Sequence, residues 1–181
     1  SDIGLDYWVS GYGTGGTVSG VGRVLREKSP GTKIILTEPE NAALIGSEVK
    51  QDRHNDNTPA SSHSSWNPHL IQGWTPDFIP FVLQEAIDNN YFDEILPVSG
   101  DQGIVWAKRL ARAEGIITGI SGGSTFAIAM EVAKKAPPDC NILCMLPDTG
   151  ERYLSSPLFE DIPEDMTEEE KEISTSTPNY Q

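Results

Sequence analysis

The chain has 181 residues, enough for one domain with a hydrophobic core, and its 27 acidic and 13 basic residues give a net charge of −14. This charge argues against nucleic acid and anionic membranes as partners, because both carry phosphates that would repel it. No apolar run approaches the ~20 residues that a membrane-spanning helix needs, and no segment resembles a signal peptide.

The predicted elements alternate between strand and helix along most of the chain. Apolar runs predict strands at residues 7–10, 33–39, 92–99 and 141–147. Helical periodicity predicts helices at residues 17–27, 78–90, 101–114 and 124–136, with a short helix starting at 41–45. Residues 47–69 show no periodicity and are predicted to form a long loop. The alternation predicts an α/β fold, a mainly parallel sheet with helices on both faces and ligands at the carboxyl ends of the strands.

A glycine-rich loop follows the first predicted strand, in the run DYWVSGYGTGGTVSG. Gly11, Gly13, Gly15 and Gly16 can take positive φ and bring backbone N–H groups close to an anion. The helix starting near Thr17 would add free N–H groups and the positive end of its dipole. A plain turn is the alternative, but the order strand, loop, helix favours a phosphate cradle.

Two kinds of ligand fit this loop. GYGTGG matches the dinucleotide pattern G-x-G-x-x-G, and Glu38 follows at the end of the next strand, where an acid would hold a ribose. The hydroxyls of Thr14 and Thr17 instead favour a phosphate monoester with three oxygens to satisfy. A second glycine–serine turn, Gly119–Thr125, also precedes a helix, which suits a phosphorylated ring with polar groups at both ends.

Three motifs, VSGYGTGGTVSGVGRVLRE, EGIITGISGGST and LPDTGERYLSSPLF, together resemble the C-terminal half of cysteine synthase, also called O-acetylserine sulfhydrylase. That enzyme belongs to the fold-type II pyridoxal-phosphate family, which includes cystathionine β-synthase. The resemblance extends from Asp6 to about Phe159. It implies pyridoxal 5'-phosphate as cofactor, a role in cysteine biosynthesis as a transferase or lyase, and the larger, three-layer domain of such an enzyme.

The resemblance also implies roles for individual residues. Gly13, Thr14, Gly15, Gly16 and Thr17 match the loop that binds the cofactor phosphate. Ser121 matches the serine that hydrogen-bonds the pyridine nitrogen, and a neutral hydroxyl there favours β-elimination over transamination. Helix N-capping is an alternative role for Ser121. Gln72 and Gly73 match the active-site mouth, and the segment 150–153 matches a signature with a mainly structural role.

The lysine that forms the Schiff base in this family lies in the N-terminal half, together with the substrate-carboxylate loop. No lysine of this chain has the matching context, so no catalytic residue is assigned to it and the lysine is expected in a missing half. The expected partners are therefore that N-terminal half, covalent or separate, and a second copy in a homodimer of the whole enzyme. The start at Ser1 rather than Met favours processing or truncation.

The reaction implied by the resemblance makes cysteine from O-acetylserine and sulfide, with a small amino acid as substrate. Two departures leave the substrate open: GWTPDF replaces the usual GIGAGF at the mouth, and the loop at 47–69 is longer than the family segment. Serine or another β-substituted amino acid remains an alternative. Two further hypotheses are a non-catalytic subunit recruited as a scaffold and a nicotinamide-dependent oxidoreductase.

The histidines and tryptophans cluster around the long loop. His54, His63 and His69 are predicted to be solvated surface residues rather than metal ligands, because their spacing is irregular. Trp66 and Trp74 are predicted to anchor the loop, with a lid over the site as the alternative. We divide the chain into a cofactor-binding unit at 1–159 and an acidic, flexible tail at 160–181.

The two cysteines, Cys140 and Cys144, lie four residues apart in a predicted strand. Their side chains would point to one face about 13 Å apart, too far for a disulfide. We therefore expect free thiols and a cytoplasmic or other reducing compartment, organelles included. A metal site on this pair is disfavoured because no third or fourth ligand is evident, and no metal is predicted.

Overall fold

The structure, a computed structural model, describes residues 4–176. A four-stranded, fully parallel sheet forms its centre, in the order β3-β2-β1-β4. The strands are β1 (Tyr7–Gly11), β2 (Lys33–Pro39), β3 (Glu94–Val98) and β4 (Ile142–Cys144). The helices are α1 (Gly16–Lys28), α2 (Phe81–Asp88), α3 (Gly100–Glu114), α4 (Ile120–Lys135) and α5 (Glu168–Thr175), with a 3₁₀ turn at Gly150–Tyr153.

Helices cover both faces of the sheet, which confirms the predicted α/β fold. Alternation along β1 sends Trp8 to one face and Val9 to the other. On the Trp8 face, Ile34 and Leu36 of β2 pack in one apolar cluster with residues of α1 and α2. On the Val9 face, residues of α3 and α4 form the second cluster. The β2 strand is buried from its second residue to its last, as expected for a parallel strand between two helical layers.

The order of the strands creates a switch point between β1 and β4. After β1 the chain passes through α1 to β2 on one side, whereas β4 pairs with β1 on its other side, with Val9 opposite Cys144. The sheet therefore extends from β1 first to one side and later to the other, and a crevice opens at the carboxyl end of β1. Ligands of open α/β sheets bind at such a crevice.

Several predicted boundaries are wrong in detail. The helix predicted at 41–45 is a pair of turns, because the chain there folds back over the carboxyl end of β2, where the buried Glu38 accepts the backbone N–H groups of Ile45 and Gly46. α4 begins four residues earlier than predicted, and β4 covers only three residues of its predicted run. Val24 of α1 and Val105 of α3 are spaced from other apolar residues as on a buried helix face, but both are about half exposed.

The acidic C-terminal segment contains one element that the sequence pattern did not predict, α5. Thr167 caps this helix, and none of its residues is buried. Upstream, Asp161 forms an ion pair with Lys108 of α3 at 2.6 Å. The last residues of the predicted tail, 177–181, lie outside the described residues.

Both cysteines are half-buried free thiols, in agreement with the prediction. Burial raises the pKa of the Cys144 thiol, which keeps it in its less reactive neutral form. In residues 4–176, no helix has the length and apolar character needed to cross a membrane.

Candidate cofactor site

A cleft of about 330 Å³ lies at the switch point. Its walls come from the end of β1, the glycine loop (residues 11–17), the first three residues of the mouth segment (residues 72–78), the start of α4 and the turn after β4. Six residues predicted from the sequence line it: Gly13, Thr14, Thr17, Gln72, Gly73 and Ser121. The structure therefore brings together three segments that are far apart in the chain.

The two remaining predicted residues, Gly15 and Gly16, form the turn into α1 rather than the lining of the cleft. Gly15 has φ +90°, and a Cβ on it would lie 2.6 Å from the Leu83 backbone of α2. A Cβ on Gly13 would lie 2.4 Å from the Gly73 carbonyl oxygen. Both positions require glycine, one for conformation and packing and the other for packing. α1 then begins at Gly16 with no side chain capping its N–H groups.

Ser121 lies in the first turn of α4 and is buried. Its carbonyl accepts a hydrogen bond from the Thr125 hydroxyl, but its own Oγ has no partner among the described residues and borders the cleft. The N-cap of α4 is Gly119, so the alternative N-capping role of Ser121 is wrong. The hydroxyls of Thr14 and Thr17, across the cleft, likewise form no hydrogen bond within residues 4–176.

The turn after β4 supplies the remaining polar groups, Asp148 and Tyr153. The Tyr153 hydroxyl donates to Asp148 Oδ2 at 2.7 Å, and this bond holds the pKa of the carboxyl below its usual range. Partial burial, followed by the same carboxylate, raises the pKa of Tyr153. No site role was predicted for Asp148, although its position directly after a strand at the switch point was a usable signal.

The turn is also tied to the start of α4. Thr118 donates its hydroxyl to the Asp148 carbonyl at 3.0 Å, and the N–H of Gly119 meets the same oxygen at 3.4 Å. A Cβ on Gly119 would lie 2.3 Å from the Tyr153 ring. These contacts fix where the first turn of α4 points, which agrees with the mainly structural role expected for residues 150–153.

Positive potential in the cleft comes from the backbone. No lysine, arginine or histidine is among the lining residues that the structure describes, and the acidic Asp148 is at one end. The uncapped first turns of α1 and α4 face the cleft instead, and each carries the positive end of a helix dipole. The arrangement can hold an anion at α1 and a neutral hydrogen-bonding group at Ser121.

Glu38, the candidate ribose ligand, is already engaged inside the protein. Its carboxylate accepts the Tyr12 hydroxyl at 2.5 Å and the N–H groups of Ile45 and Gly46 at 3.1 and 2.8 Å. It is 2% exposed, and burial raises its pKa. A carboxylate that is buried and fully hydrogen-bonded is not available to a ribose, so the geometry disfavours the nicotinamide hypothesis.

The segment 47–69, here called the strap, has no helix but is extensively anchored. The prediction that all three histidines are solvated is wrong for His63, which is 4% exposed. Its ring nitrogens bond the Val49 carbonyl and the Ser65 N–H, so it holds the strap together. Of the three, only His54 is exposed. No cluster of three or more potential metal ligands occurs in residues 4–176.

The strap also anchors the mouth segment and the residues that follow it. The Arg53 guanidinium donates to the Ile79 carbonyl, and the Gln51 amide oxygen accepts the Ile79 N–H. Trp66 packs in the α1–α2 cluster, whereas Trp74 is buried in the cluster on the other face and also borders the cleft. Both tryptophans therefore anchor the strap and mouth, as predicted, and neither is an exposed lid.

An open parallel α/β sheet with a glycine loop and a free serine hydroxyl at its switch point defines a phosphate-cofactor-binding protein. The chain belongs to the pyridoxal-phosphate dependent enzyme family, whose sequence pattern matches residues 2–148. The predicted family and fold are thereby confirmed, and the cofactor of this family is pyridoxal 5'-phosphate.

Similar proteins include an O-ureido-L-serine synthase and cysteine synthases. The chain is 39% identical to O-ureido-L-serine synthase of Streptomyces lavendulae over 88% of its length and 43% of that enzyme. It is 41% identical to cysteine synthase B of Campylobacter jejuni over 86% of its length and 44% of that enzyme. The chain thus spans less than half the length of these curated relatives.

Solved structures agree with the sequence comparison. A crystal structure of O-ureido-L-serine synthase superposes with a TM-score of 0.75 at 38% identity, over 94% of this chain and 47% of that one. O-acetylserine sulfhydrylase isoform 3 of Entamoeba histolytica gives a TM-score of 0.71 at 30% identity, over 90% and 43% of the two chains.

The lining of the cleft fits the family cofactor. Three hydroxyls that have no partners within residues 4–176, on Thr14, Thr17 and Ser121, face one cleft from two helix starts. The glycine loop has no room for side chains at Gly13 and Gly15, and glycines at such positions are typical of a loop whose backbone N–H groups bind a phosphate. Pyridoxal phosphate has an anionic and a neutral hydrogen-bonding end, which matches this division of the site.

Proposed function

We propose that this chain forms one half of the active site of a pyridoxal-phosphate dependent β-replacement enzyme of the cysteine synthase type. The whole enzyme would make cysteine from O-acetylserine and sulfide. The observation that carries the proposal is the pairing, across one cleft, of the glycine loop with the unpartnered Ser121 hydroxyl. Each of these features alone is common, and their convergence at the switch point supports this function.

The chain's own residues would bind and orient the cofactor. The backbone N–H groups of residues 13–17 and the hydroxyls of Thr14 and Thr17 would hold the phosphate at the start of α1. Ser121 would hydrogen-bond the pyridine nitrogen and, being neutral, leave it largely unprotonated. When bound, the cofactor supplies an electron sink for the amino-acid substrate. A weak sink favours loss of a β-substituent over the long-lived carbanion that transamination needs.

The catalytic lysine would come from outside this chain. The cleft has no lysine among its described lining residues, and the chain spans less than half of its curated relatives. We propose that an N-terminal half, on the same or a separate polypeptide, places a lysine opposite the glycine loop. The complete enzyme would be a homodimer, with residues 1–159 as the cofactor-binding unit and 160–181 as an acidic tail.

The substrate within this class is set by the mouth. Gln72 and Gly73 border the cleft next to Trp74, and we propose that they contact the amino-acid substrate. The relative named O-ureido-L-serine synthase makes serine or a different β-substituted amino acid a reasonable alternative to O-acetylserine. A non-catalytic scaffold is the second candidate function, and the absence of a lysine from the described lining is the observation that favours it.

Binding of 4'-deoxypyridoxine 5'-phosphate tests the half-site directly. This analogue lacks the aldehyde and cannot react with lysine, so its affinity reports only the cradle and Ser121. Titration followed by ³¹P NMR is expected to show saturable binding that weakens about tenfold in Thr17→Val and in Ser121→Ala. Ser19→Ala is the control, because the Ser19 hydroxyl bonds the Val82 carbonyl and does not line the cleft. Absence of saturable binding would contradict the proposal and favour the scaffold.

The origin of the lysine needs a second experiment, on the native assembly loaded with pyridoxal phosphate. Borohydride reduction followed by peptide mass spectrometry is expected to label a lysine outside this chain. A stoichiometric label on a lysine of the chain itself would contradict the division of the active site. The residues to inspect are Lys28, Lys33, Lys50, Lys108, Lys134, Lys135 and Lys171.

A further inference from the structure

The mouth segment lies directly along the glycine loop. The Thr75 N–H donates to the Tyr12 carbonyl at 2.9 Å, and the Gly73 carbonyl occupies the space that a Cβ on Gly13 would need. The Trp74 ring covers Gly11 so closely that a Cβ there would lie 2.0 Å from it. The loop is therefore supported by three consecutive residues of the mouth segment, and Thr75 anchors it by a hydrogen bond.

Thr75 has an unusual local structure for its residue type. Its φ is +37°, a left-handed conformation that β-branched residues avoid. The residue is 1% exposed, and its buried hydroxyl makes no hydrogen bond of ordinary geometry within residues 4–176, although it lies close enough to the Tyr12 hydroxyl to oppose the rise in the pKa of that group. Each feature costs free energy, so surrounding contacts must hold the residue in place. Strain of this kind, where it is observed, is concentrated at functional sites.

Two side chains of the strap hold Thr75 in this conformation. The Trp66 indole Nε1–H and the His69 Nε2 both meet the Thr75 carbonyl, each at 3.1 Å. His69 Nδ1 accepts the Ile71 N–H at 3.3 Å. A carbonyl requires a donor, so Nε2 carries the proton, and an N–H requires an acceptor, so Nδ1 does not. These two bonds therefore assign the neutral tautomer of His69 with its proton on Nε2. The Thr75 carbonyl thus receives two donors from the strap while its N–H supports the glycine loop.

We infer that Thr75 is a positioning residue that fixes the glycine loop for its phosphate, and that Trp66 and His69 lock Thr75 in this role. The inference rests on the proposed function, because it presumes that the loop receives a phosphate. The inference also assigns a role to the long strap, which acts on the glycine loop through its two hydrogen bonds to the Thr75 carbonyl. Thr75 itself does not line the cleft, so it acts through Tyr12 and not by contact.

The decisive variant is Trp66→Phe/His69→Leu, which removes both donors and retains apolar bulk. In the ligand-free full chain, we expect about tenfold faster amide hydrogen exchange at Thr75 and Ser19, whose N–H groups bond the Tyr12 and Gly15 carbonyls of the glycine loop. The matched control is Trp106→Phe/His54→Leu, since Trp106 packs on Phe126 of α4 and His54 is exposed in the strap. Urea unfolding gives the global free energy of unfolding of each variant, and an unchanged value shows that the faster exchange is local.

Rescue separates positioning from general loosening. Glutamine at position 69 can donate to the Thr75 carbonyl and accept from the Ile71 N–H, as histidine does. Trp66→Phe/His69→Gln is therefore expected to recover at least half of the lost protection. The affinity for 4'-deoxypyridoxine 5'-phosphate is expected to fall about tenfold in the leucine variant and to recover in parallel.

The outcomes distinguish this inference from the proposed function. Faster exchange with weaker analogue binding supports both. Unchanged exchange at Thr75 and Ser19, or faster exchange with unchanged affinity, overturns the inference and leaves the proposed function standing. If the unmodified chain binds no analogue, the proposed function fails, and the exchange measurement still decides whether Thr75 positions the loop.

Discussion

The helices that face the cleft begin without a side-chain cap, whereas α3 and α5, away from the cleft, begin with one. The fifth helix, α2, follows Pro80 and also has no side-chain cap, although it does not line the cleft. α3 starts with a complete capping box, in which Ser99 and Gln102 satisfy each other's backbone N–H groups, and α5 starts with the same arrangement at Thr167 and Glu170. α1 and α4 have glycine at the N-cap and no side-chain cap. The two helices at the cleft therefore keep their first N–H groups free, whereas the two capped helices use theirs internally.

An uncapped helix start must be fixed by contacts from elsewhere. For α1 these are Tyr12, which bonds the buried Glu38, and the backbone of α2 behind Gly15. For α4 they are Thr118 and Gly119, which bond the Asp148 carbonyl. In the capped helices, the start is held by hydrogen bonds within four consecutive residues. The position of a helix start that binds a ligand thus depends on residues far away in the sequence. We therefore expect substitutions at such a start to lower the free energy of unfolding more than substitutions at a capped start.

The largest expected effect is at the start of α1. Gly15→Ala would put a Cβ at φ +90° and 2.6 Å from the Leu83 backbone, which we expect to destabilise the fold by about 3 kcal/mol in urea unfolding. Gly20→Ala is the control in the same helix, where a Cβ meets nothing within 4 Å. That variant should be roughly 0.5–1 kcal/mol more stable. Equal effects at the two positions would show that Gly15 needs no special geometry.

Tyr12→Phe should come next, at about 2 kcal/mol near neutral pH, because it removes a donor from a buried carboxylate. Burial already raises the pKa of Glu38, and the Tyr12 bond opposes this, so the variant should raise that pKa further. A carboxyl with a raised folded-state pKa loses its stabilising contribution as pH rises through that pKa. The cost of the substitution should therefore be larger at pH 8 than at pH 5.

A matched control for this pH dependence is Tyr91→Phe. Tyr91 packs in the same apolar cluster, and its hydroxyl forms no hydrogen bond in the described part of the chain. Its substitution should cost little and show no added slope between pH 5 and pH 8. A flat pH profile for Tyr12→Phe would mean that the hydroxyl does not stabilise the Glu38 carboxylate.

Ser99→Ala should have a smaller effect, about 1 kcal/mol, because it removes the cap of α3 but leaves its buried face intact. The affinity for 4'-deoxypyridoxine 5'-phosphate should not change, since Ser99 lies outside the cleft lining. A parallel loss of affinity would break the distinction between capped helices and helices that face the cleft.

Thr167→Ala should have the smallest effect on global stability, within about 0.5 kcal/mol. It removes the capping box of α5, but no residue of that helix is buried, so local helicity is all that depends on it. Circular dichroism should show a small loss of helical signal at an unchanged urea midpoint. A shifted midpoint would reveal packing of α5 against the domain.

The parts that the sequence predicted well are those specified by neighbouring residues. The cradle was predictable because a strand, a glycine-rich loop and a helix follow each other within a few residues, although only Gly15 of the four loop glycines takes positive φ. Alternating apolar runs likewise predicted the three layers. The convergence of Ser121 with this loop came from the motif resemblance, because no local pattern brings residues 13 and 121 together.

The parts that the sequence did not predict depend on distant contacts. His63 looks like any histidine in a polar loop, and its burial follows from bonds to Val49 and Asp77, 14 residues away on either side. Glu38 stands where either a ribose ligand or a buried structural acid would stand. Only Tyr12, and the turn at 45–46 that replaces the predicted helix, decide between these roles.

The position of β4 beside β1 has a consequence for the order in which the molecule is made. The pairing joins Tyr7 to Ile142, and the Asn141 N–H bonds the Asp6 carboxylate. Closing such a long stretch of chain costs entropy that local contacts do not repay early. The glycine loop leaves the ribosome long before Ser121, which can face it only after the intervening strands and helices have been made. Folding of this domain should therefore end with the formation of the cleft.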